Sequence, residues 1–352
     1  MNNILKLALI GVVGLGLAGI LLIRKGGEVP GDGPVLIHEE ERVLWKKEDG
    51  ENHLFARIRF DVDDEENLYV LDERLRNIRV FDKSGYFVRH IGRIGQGPGE
   101  FQNPCFFIQV TPEQELVVYD QAPRKLIYYS LHGRYIKEKS VLFLGIPFKT
   151  RIDSKGDLVC FFSGSPPSEE LKKFDSHGEV LGEFHSRELK IDIYSNDLKV
   201  AQPTVCFALT QDDHIVWGYS QNYEIEVIDP DGRLVRRIEK KRKPLKFTEK
   251  DKRKYRTMYE GMIAQGAELV FPSFHPFFGD ISVDEKNRVF VRTYEKNEKG
   301  AVYYDVFSLT GEYLAKVPLP HAPRLWKNNK AYAVTGDEDG YPMIIRYAVE
   351  WR

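Results

Sequence analysis

Residues 60–92, FDVDDEENLYVLDERLRNIRVFDKSGYFVRHIG, and residues 108–140, IQVTPEQELVVYDQAPRKLIYYSLHGRYIKEKS, align without a gap. Each runs through an apolar alternating stretch, a tight polar turn and a second stretch ending in Asp (Asp72, Asp120). A polar loop, a third stretch and a glycine turn follow, then a fourth stretch. Alternation of period two reads as β-strand. A repeated unit of strands must stack on copies of itself to bury its faces. In Leu68–Leu71 (LYVL) and in Val80-Phe81 both faces of the strand are apolar, as a sheet packed on both sides requires.

The pattern recurs down the chain. TRIDSKGDLVCFF with KKFDSHGEVLGEF is a third copy, FALTQDDHIVWGY with IEVIDPDGRLVRRI a fourth, and ISVDEKNRVFVRTY with YDVFSLTGEYLAKV a fifth. RLWKNNKAYAVTG with MIIRYAVE is a worn sixth. The turn between third and fourth strands carries Gly85, Gly133, Gly178, Gly232 and Gly311, spaced by 48, 45, 54 and 79 residues. Glycine suits these turns because it adopts φ > 0 without a Cβ clash. A four-stranded blade takes about 40–50 residues, so the longest spacing holds one blade and an insertion. The sixth copy stops after its third strand. A ring has to close, and Arg42–Lys47 (RVLWKK), upstream of the first blade, is expected to supply the missing outer strand. The reading is all-β: a six-bladed β-propeller over residues 41–352, with a helical insertion at about 245–272.

The loop GRIGQGPGEFQNP, Gly92 to Pro104, resembles the G-x-G-x-G-P-G-E-F-x-x-P link that precedes an NHL repeat. In such families a strand and a D-x-x-G turn follow. Here TPEQ stands in the first such turn, while Asp153-Ser-Lys-Gly156 fits the pattern. The chain is similar to the bacterial "6-bladed β-propeller" family, whose members often carry an N-terminal signal or anchor. The resemblance covers about residues 42–352 and implies the fold. It leaves function open, because propellers host ligand binding, protein binding and a few lyases and hydrolases. The same loop is no phosphate cradle: it lacks the Lys-Ser/Thr ending, and Pro98 and the following strand deny it a helix N-terminus.

Of the 352 residues 42% are hydrophobic and 12% aromatic, enough for a large core, and the net charge of −2 gives no global basic field to hold nucleic acid. Cys105, Cys160 and Cys206 have no metal-ligand spacing and read as buried free thiols. Leu7–Ile23, LALIGVVGLGLAGILLI, has no charge, and Ile4 and Leu5 extend it. It exceeds the usual signal-peptide core of about 7–15 residues and approaches a membrane span. Residues 1–25 therefore read as an uncleaved anchor that meets the membrane through residues 4–23; a cleaved signal is the second reading. Lys6 on one side and Arg24-Lys25 on the other nearly balance, and N-terminal signals before all-β domains are usually export signals. The propeller is therefore expected to be periplasmic or extracellular. Residues 26–40, rich in Gly, Pro and acids, read as a linker.

Three connections between blades are long and should surround the channel mouth: 92–104, 185–203 and 239–276. The last contains a helix expected over Glu249–Gln265, capped by Thr248, with Tyr255, Met258, Tyr259 and Met262 on one face. It reads either as a cover for apolar propeller surface or as a lid over the mouth. The basic run Arg236-Arg237 and Lys240–Lys243 reads as a solvated face, or as a contact for anionic lipid or an acidic partner. Gln102, Asn103, Gln202 and His275 each precede an inner strand and are the expected polar contacts for a ligand, with Arg93 and Tyr255 behind them. The function expected is a membrane-anchored binding module for a small polar ligand or a protein partner, without a cofactor. The alternative implied by the resemblance is a metal-dependent lyase or hydrolase. Such enzymes hold a divalent metal with His from several blades; here these would be His53, His275 and His321, although the three sit at different offsets in the blade pattern. No G-x-S-x-G or H-E-x-x-H occurs, and the pairs Asp63-Asp64 and Asp212-Asp213 read as turn chemistry.

Overall fold

The computed structural model describes residues 21–22, 35–43, 58–73, 75–141, 147–163, 168–189, 196–336 and 340–351. Five antiparallel four-stranded sheets follow one another in sequence, blades I to V. Their innermost strands are Ile58–Val62, Pro104–Val110, Pro147–Ile152, Val205–Leu209 and Asp280–Val283. Blade VI is built from Pro323–Lys327, Lys330–Gly336 and Pro342–Trp351, and its fourth strand comes from the other end of the chain. That strand is Val35–Val43, not the expected Arg42–Lys47. It pairs antiparallel with the last strand, Val35 opposite Trp351 and Val43 opposite Ile344. The closing strand thus begins inside the stretch expected to be linker. The expected span at 4–23 lies outside the described residues except for Leu21–Leu22, which pairs with Leu36 and Ile37. Among the described residues no helix is long and apolar enough to cross a membrane.

The core is divided among the blade interfaces. Six buried apolar clusters are present, and each combines residues of two neighbouring blades. Ile78, Ile91 and Val118 join blades I and II, and Phe290 stacks on Trp326 between V and VI. Tyr332 and Ile344 meet Val62 and Val70 across the seam between VI and I. Strands with both faces apolar are the consequence, as in LYVLD, where all five residues are buried.

Repeated side-chain turns set the strand ends. The Asp63 carboxylate accepts the N–H groups of Glu65 and Asn67, and Asp153 and Asp284 do the same for the residues two and four positions on. Asp82, Asp175 and Asp229 repeat this in the glycine turns. Asp212 and Asp213 differ. Asp212 accepts from Asn287 of blade V and Asp213 from Ser154 of blade III, so this pair ties neighbouring blades together.

The glycine link 92–104 is a compact loop closed on Phe101, which is fully buried. Gly92 has φ +70, and a Cβ there would stand 2.2 Å from the Phe101 ring. Gly92→Ala is expected to lower stability by about 1–3 kcal/mol, read as a lower urea midpoint at unchanged slope; an unchanged midpoint would show that Phe101 can move aside. A chain starting at residue 44 loses the closing strand and should melt lower and aggregate, seen by thermal denaturation and size exclusion.

Candidate functional site

The six innermost strands surround a central channel containing two joined cavities. One, of about 560 Å³, opens among the turns between first and second strands (Asp64, Thr111, Ser154, Asp213, Glu285). The other, of about 410 Å³, opens towards the blade-to-blade connections and is walled by Ile58, Phe107, Phe161, Val205 and Val334. Both are lined by Phe60, Ile108, Lys149, Arg151, Asp280 and Arg324, which form the waist.

Polar side chains of the inner strands reach from one blade to the next. Asp61 of blade I accepts the N–H of Val110 in blade II at 2.8 Å. Gln109 of blade II brackets Ile152 of blade III, donating to its C=O at 2.7 Å and accepting its N–H at 3.0 Å. Lys149 donates to the Phe207 carbonyl at 2.6 Å, and Trp326 donates to the Ser282 hydroxyl at 3.0 Å. The bonds of Asp61, Gln109 and Lys149 occupy backbone groups that the inner edge of each sheet would otherwise leave unpaired.

The waist has an unequal charge balance. Lys149 lies 3.6 Å from Asp280. Arg151 donates only to the neighbouring Thr150 carbonyl, and Arg324 is exposed; neither has a carboxylate within ion-pair distance among the described residues. Burial holds the Arg151 guanidinium below its ordinary pKa; the Asp61 and Asp280 carboxylates oppose this, and Arg59 adds to it as a like charge. Phe148, also at this end of the channel, is 69% exposed. Burial raises the Asp61 carboxyl above its ordinary value, against the pull of the Val110 and Val62 N–H groups and of Lys327 and Arg151.

The residues expected to contact a ligand lie elsewhere. None of Arg93, Gln102, Asn103, Gln202, Tyr255 and His275 lines either cavity. Arg93 pairs with Glu100 at 2.7 Å. Gln102 and Asn103 donate their backbone N–H groups to the Asp120 carboxylate at 2.8 and 2.6 Å, and the Asn103 amide donates to Gln121. Gln202 donates to the Val200 carbonyl two residues back. His275 is buried against Phe247 and Tyr294, with Nε2 3.2 Å from Asp251 in the insertion. Tyr255 packs on Phe247 from the other side.

For the metal alternative, His53 lies outside the described residues, and His321 directs Nδ1 at the Tyr347 hydroxyl. Among the described residues no three His, Cys, Asp or Glu side chains come together as metal ligands would. Cys160 and Cys206 are buried free thiols; burial pushes the Cys160 thiol up to about 12.

The insertion forms two short helices, Glu249–Met258 and Glu260–Ala264, interrupted at Tyr259. Thr248 caps the first in a reciprocal box with Asp251. A two-stranded parallel ladder, Asp197–Lys199 with Glu268–Val270, ties the insertion to the connection between blades III and IV. Two of the three long connections are therefore one structure at the mouth.

Residues 52–196 match the sequence profile of a family described as 6-bladed beta-propeller. The chain is a six-bladed β-propeller. Among solved structures, the propeller resembles a member of the duf4221 family from Bacteroides vulgatus, at 12% identity over 85% of this chain and 94% of that one, with a TM-score of 0.50. A candidate exported protein from Bacteroides fragilis is 13% identical over 95% of both chains, with a TM-score of 0.49. Virginiamycin B lyase from Staphylococcus aureus is 12% identical over 85% of this propeller and 86% of the lyase, with a TM-score of 0.42. At these identities the likeness is one of fold alone. No curated protein matches the chain in sequence.

The charges at the waist left a signal in the sequence. PFKTRI, PRLWK and IRFDV place charged residues in strands that blade packing should make apolar. Their convergence on one channel follows only from ring closure.

The raised Asp61 carboxyl has a pH consequence. Its folded form stays protonated at pH values where the unfolded chain has ionised. The stability it contributes is thus fully present below the unfolded value and is lost as pH rises through the folded one. Asp61→Asn removes this loss, so the melting temperature of the variant minus that of the parent is expected to increase from pH 4 to pH 7. A constant difference across that range would contradict the raised value.

Proposed function

We propose that this propeller is a binding module, anchored at a membrane by its N-terminal segment and exposed on the periplasmic or extracellular side, that takes a small anionic ligand with an apolar body into its central channel. The observation that carries the reading is the waist: Lys149, Arg151 and Arg324 gather there, Asp280 is the one carboxylate that lines both cavities, and the Asp61 carboxyl beside Arg151 is raised by burial. Gathering like charges in a channel walled by protein is unfavourable in the free molecule, and an anion entering it relieves that repulsion. Arginine suits the role because its planar fork grips a carboxylate with two hydrogen bonds. Phe60, Phe148 and Phe161 offer the apolar partner surface. This reading puts the ligand contacts on the inner strands rather than on the six mouth residues expected from sequence.

The test is ligand-observed saturation-transfer NMR on the full chain in nanodiscs, with 4-phenylbutyrate, its amide and 4-phenylbutylamine as probes. The carboxylate is expected to bind most tightly, and an Arg151→Met/Arg324→Met chain to weaken it by about 10–100-fold. Equal binding of the amide or amine would overturn the anionic class. Carboxylate binding untouched by the double substitution would place the site outside the waist.

A further inference from the structure

The insertion between blades IV and V carries a charge that the rest of the propeller does not. From Lys240 to Arg256 the sequence is KKRKPLKFTEKDKRKYR, ten cations to two carboxylates in a chain of net charge −2. Part of this charge is used inside the fold. Lys240 bonds the buried Asp305 at 2.7 Å, and Arg242 bonds Glu295 at 2.5 Å. Lys252 and Arg256 turn back to Glu249. The remaining six, Lys241, Lys243, Lys246, Lys250, Arg253 and Lys254, are exposed and make no ion-pair contact with a carboxylate among the described residues, Arg253 acting on Glu249 at longer range.

Beside them lies an uncovered apolar face. Neither helix of the insertion buries a single residue fully. The aromatic pins Phe247 and Tyr255 hold its start, whereas Met258 is 59%, Met262 46% and Phe274 46% exposed. A helix on a protein surface ordinarily buries its apolar stripe. An uncovered patch rimmed with charge marks an interaction surface. The cavities of the channel are lined by other residues. Long, exposed lysines around apolar tips suit a fluid, flat, negatively charged surface.

We propose that the insertion docks on an anionic lipid bilayer, seating Met258, Met262 and Phe274 at the headgroup level with the lysines on lipid phosphates. The docking uses none of the residues that line the two channel cavities.

The experiment uses the full chain with Met262→Cys carrying an environment-sensitive fluorophore, read against the unsubstituted chain treated alike. It is reconstituted into phosphatidylcholine vesicles and into vesicles with about 30% phosphatidylglycerol. In the anionic vesicles the emission is expected to shift to the blue and to be quenched by spin-labelled acyl chains. High salt, or Lys250→Glu with Lys254→Glu, should lower the docked fraction at least about tenfold. Among the described residues neither lysine side chain makes a hydrogen bond or ion pair, and an unchanged circular dichroism spectrum checks that the propeller is intact. A water-like emission in both vesicle types overturns the proposal and leaves an acidic protein as the occupant. An equal shift in neutral vesicles overturns the electrostatic part.

Discussion

Ring closure is the constraint on which the remaining structure depends. Each blade buries its two faces against its neighbours, so no blade is complete alone and an open ring would leave two apolar sheets in water. The seam between blades VI and I is held by three kinds of contact. Val35–Val43 supplies the outer strand, the Tyr332–Val62 cluster supplies apolar burial, and charge supplies the rest. Glu66 accepts from Lys330 at 2.7 Å and from Arg346 at 3.0 Å, and Lys327 pairs with Asp64 at 2.9 Å. Drawing the closing strand from the distant end of the chain makes the ring cooperative: the last blade cannot form without residues that precede the first.

Closure also explains why charged residues are tolerated in the innermost strands. Asp61, Gln109 and Lys149 each serve a backbone group on the adjacent blade, so they occupy edge positions that an apolar side chain would leave unpaired. Arg151 and Arg324 have no such task. They stand where the cavities join, and there burial, with Arg59 as a like charge, disfavours the charge of Arg151. Among the described residues neither guanidinium is in ion-pair contact with a carboxylate, so packing of the inner strands does not explain them.

The mouth illustrates how spacing and chemistry diverge. Gln102, Asn103 and His275 precede inner strands in the repeat, as expected, but preceding an inner strand does not aim a side chain at the axis. Asp120 captures the Gln102 and Asn103 backbone, and the Asp251 carboxylate in the insertion captures the His275 ring. The helix of the insertion was legible from Thr248 and the spacing of Tyr255, Met258 and Met262. Its break at Tyr259, and the exposure of the two methionines, were not, because they depend on which surface the helix meets. Likewise Asp212 and Asp213 sit in a turn, yet their partners belong to blades III and V.

Periodicity, glycine spacing and the truncated last copy determined by themselves that this chain is a ring of six β-blades closed by its own N-terminal region. They could do so because strand alternation and turn chemistry are local and repeat in register. The tertiary structure alone decided which residues close the ring, where the inner strands bring Lys149, Arg151 and Arg324 together, and which cations of the insertion remain free. Those depend on residues from different blades, from about fifty to three hundred positions apart, meeting in space, and no local pattern carries that distance.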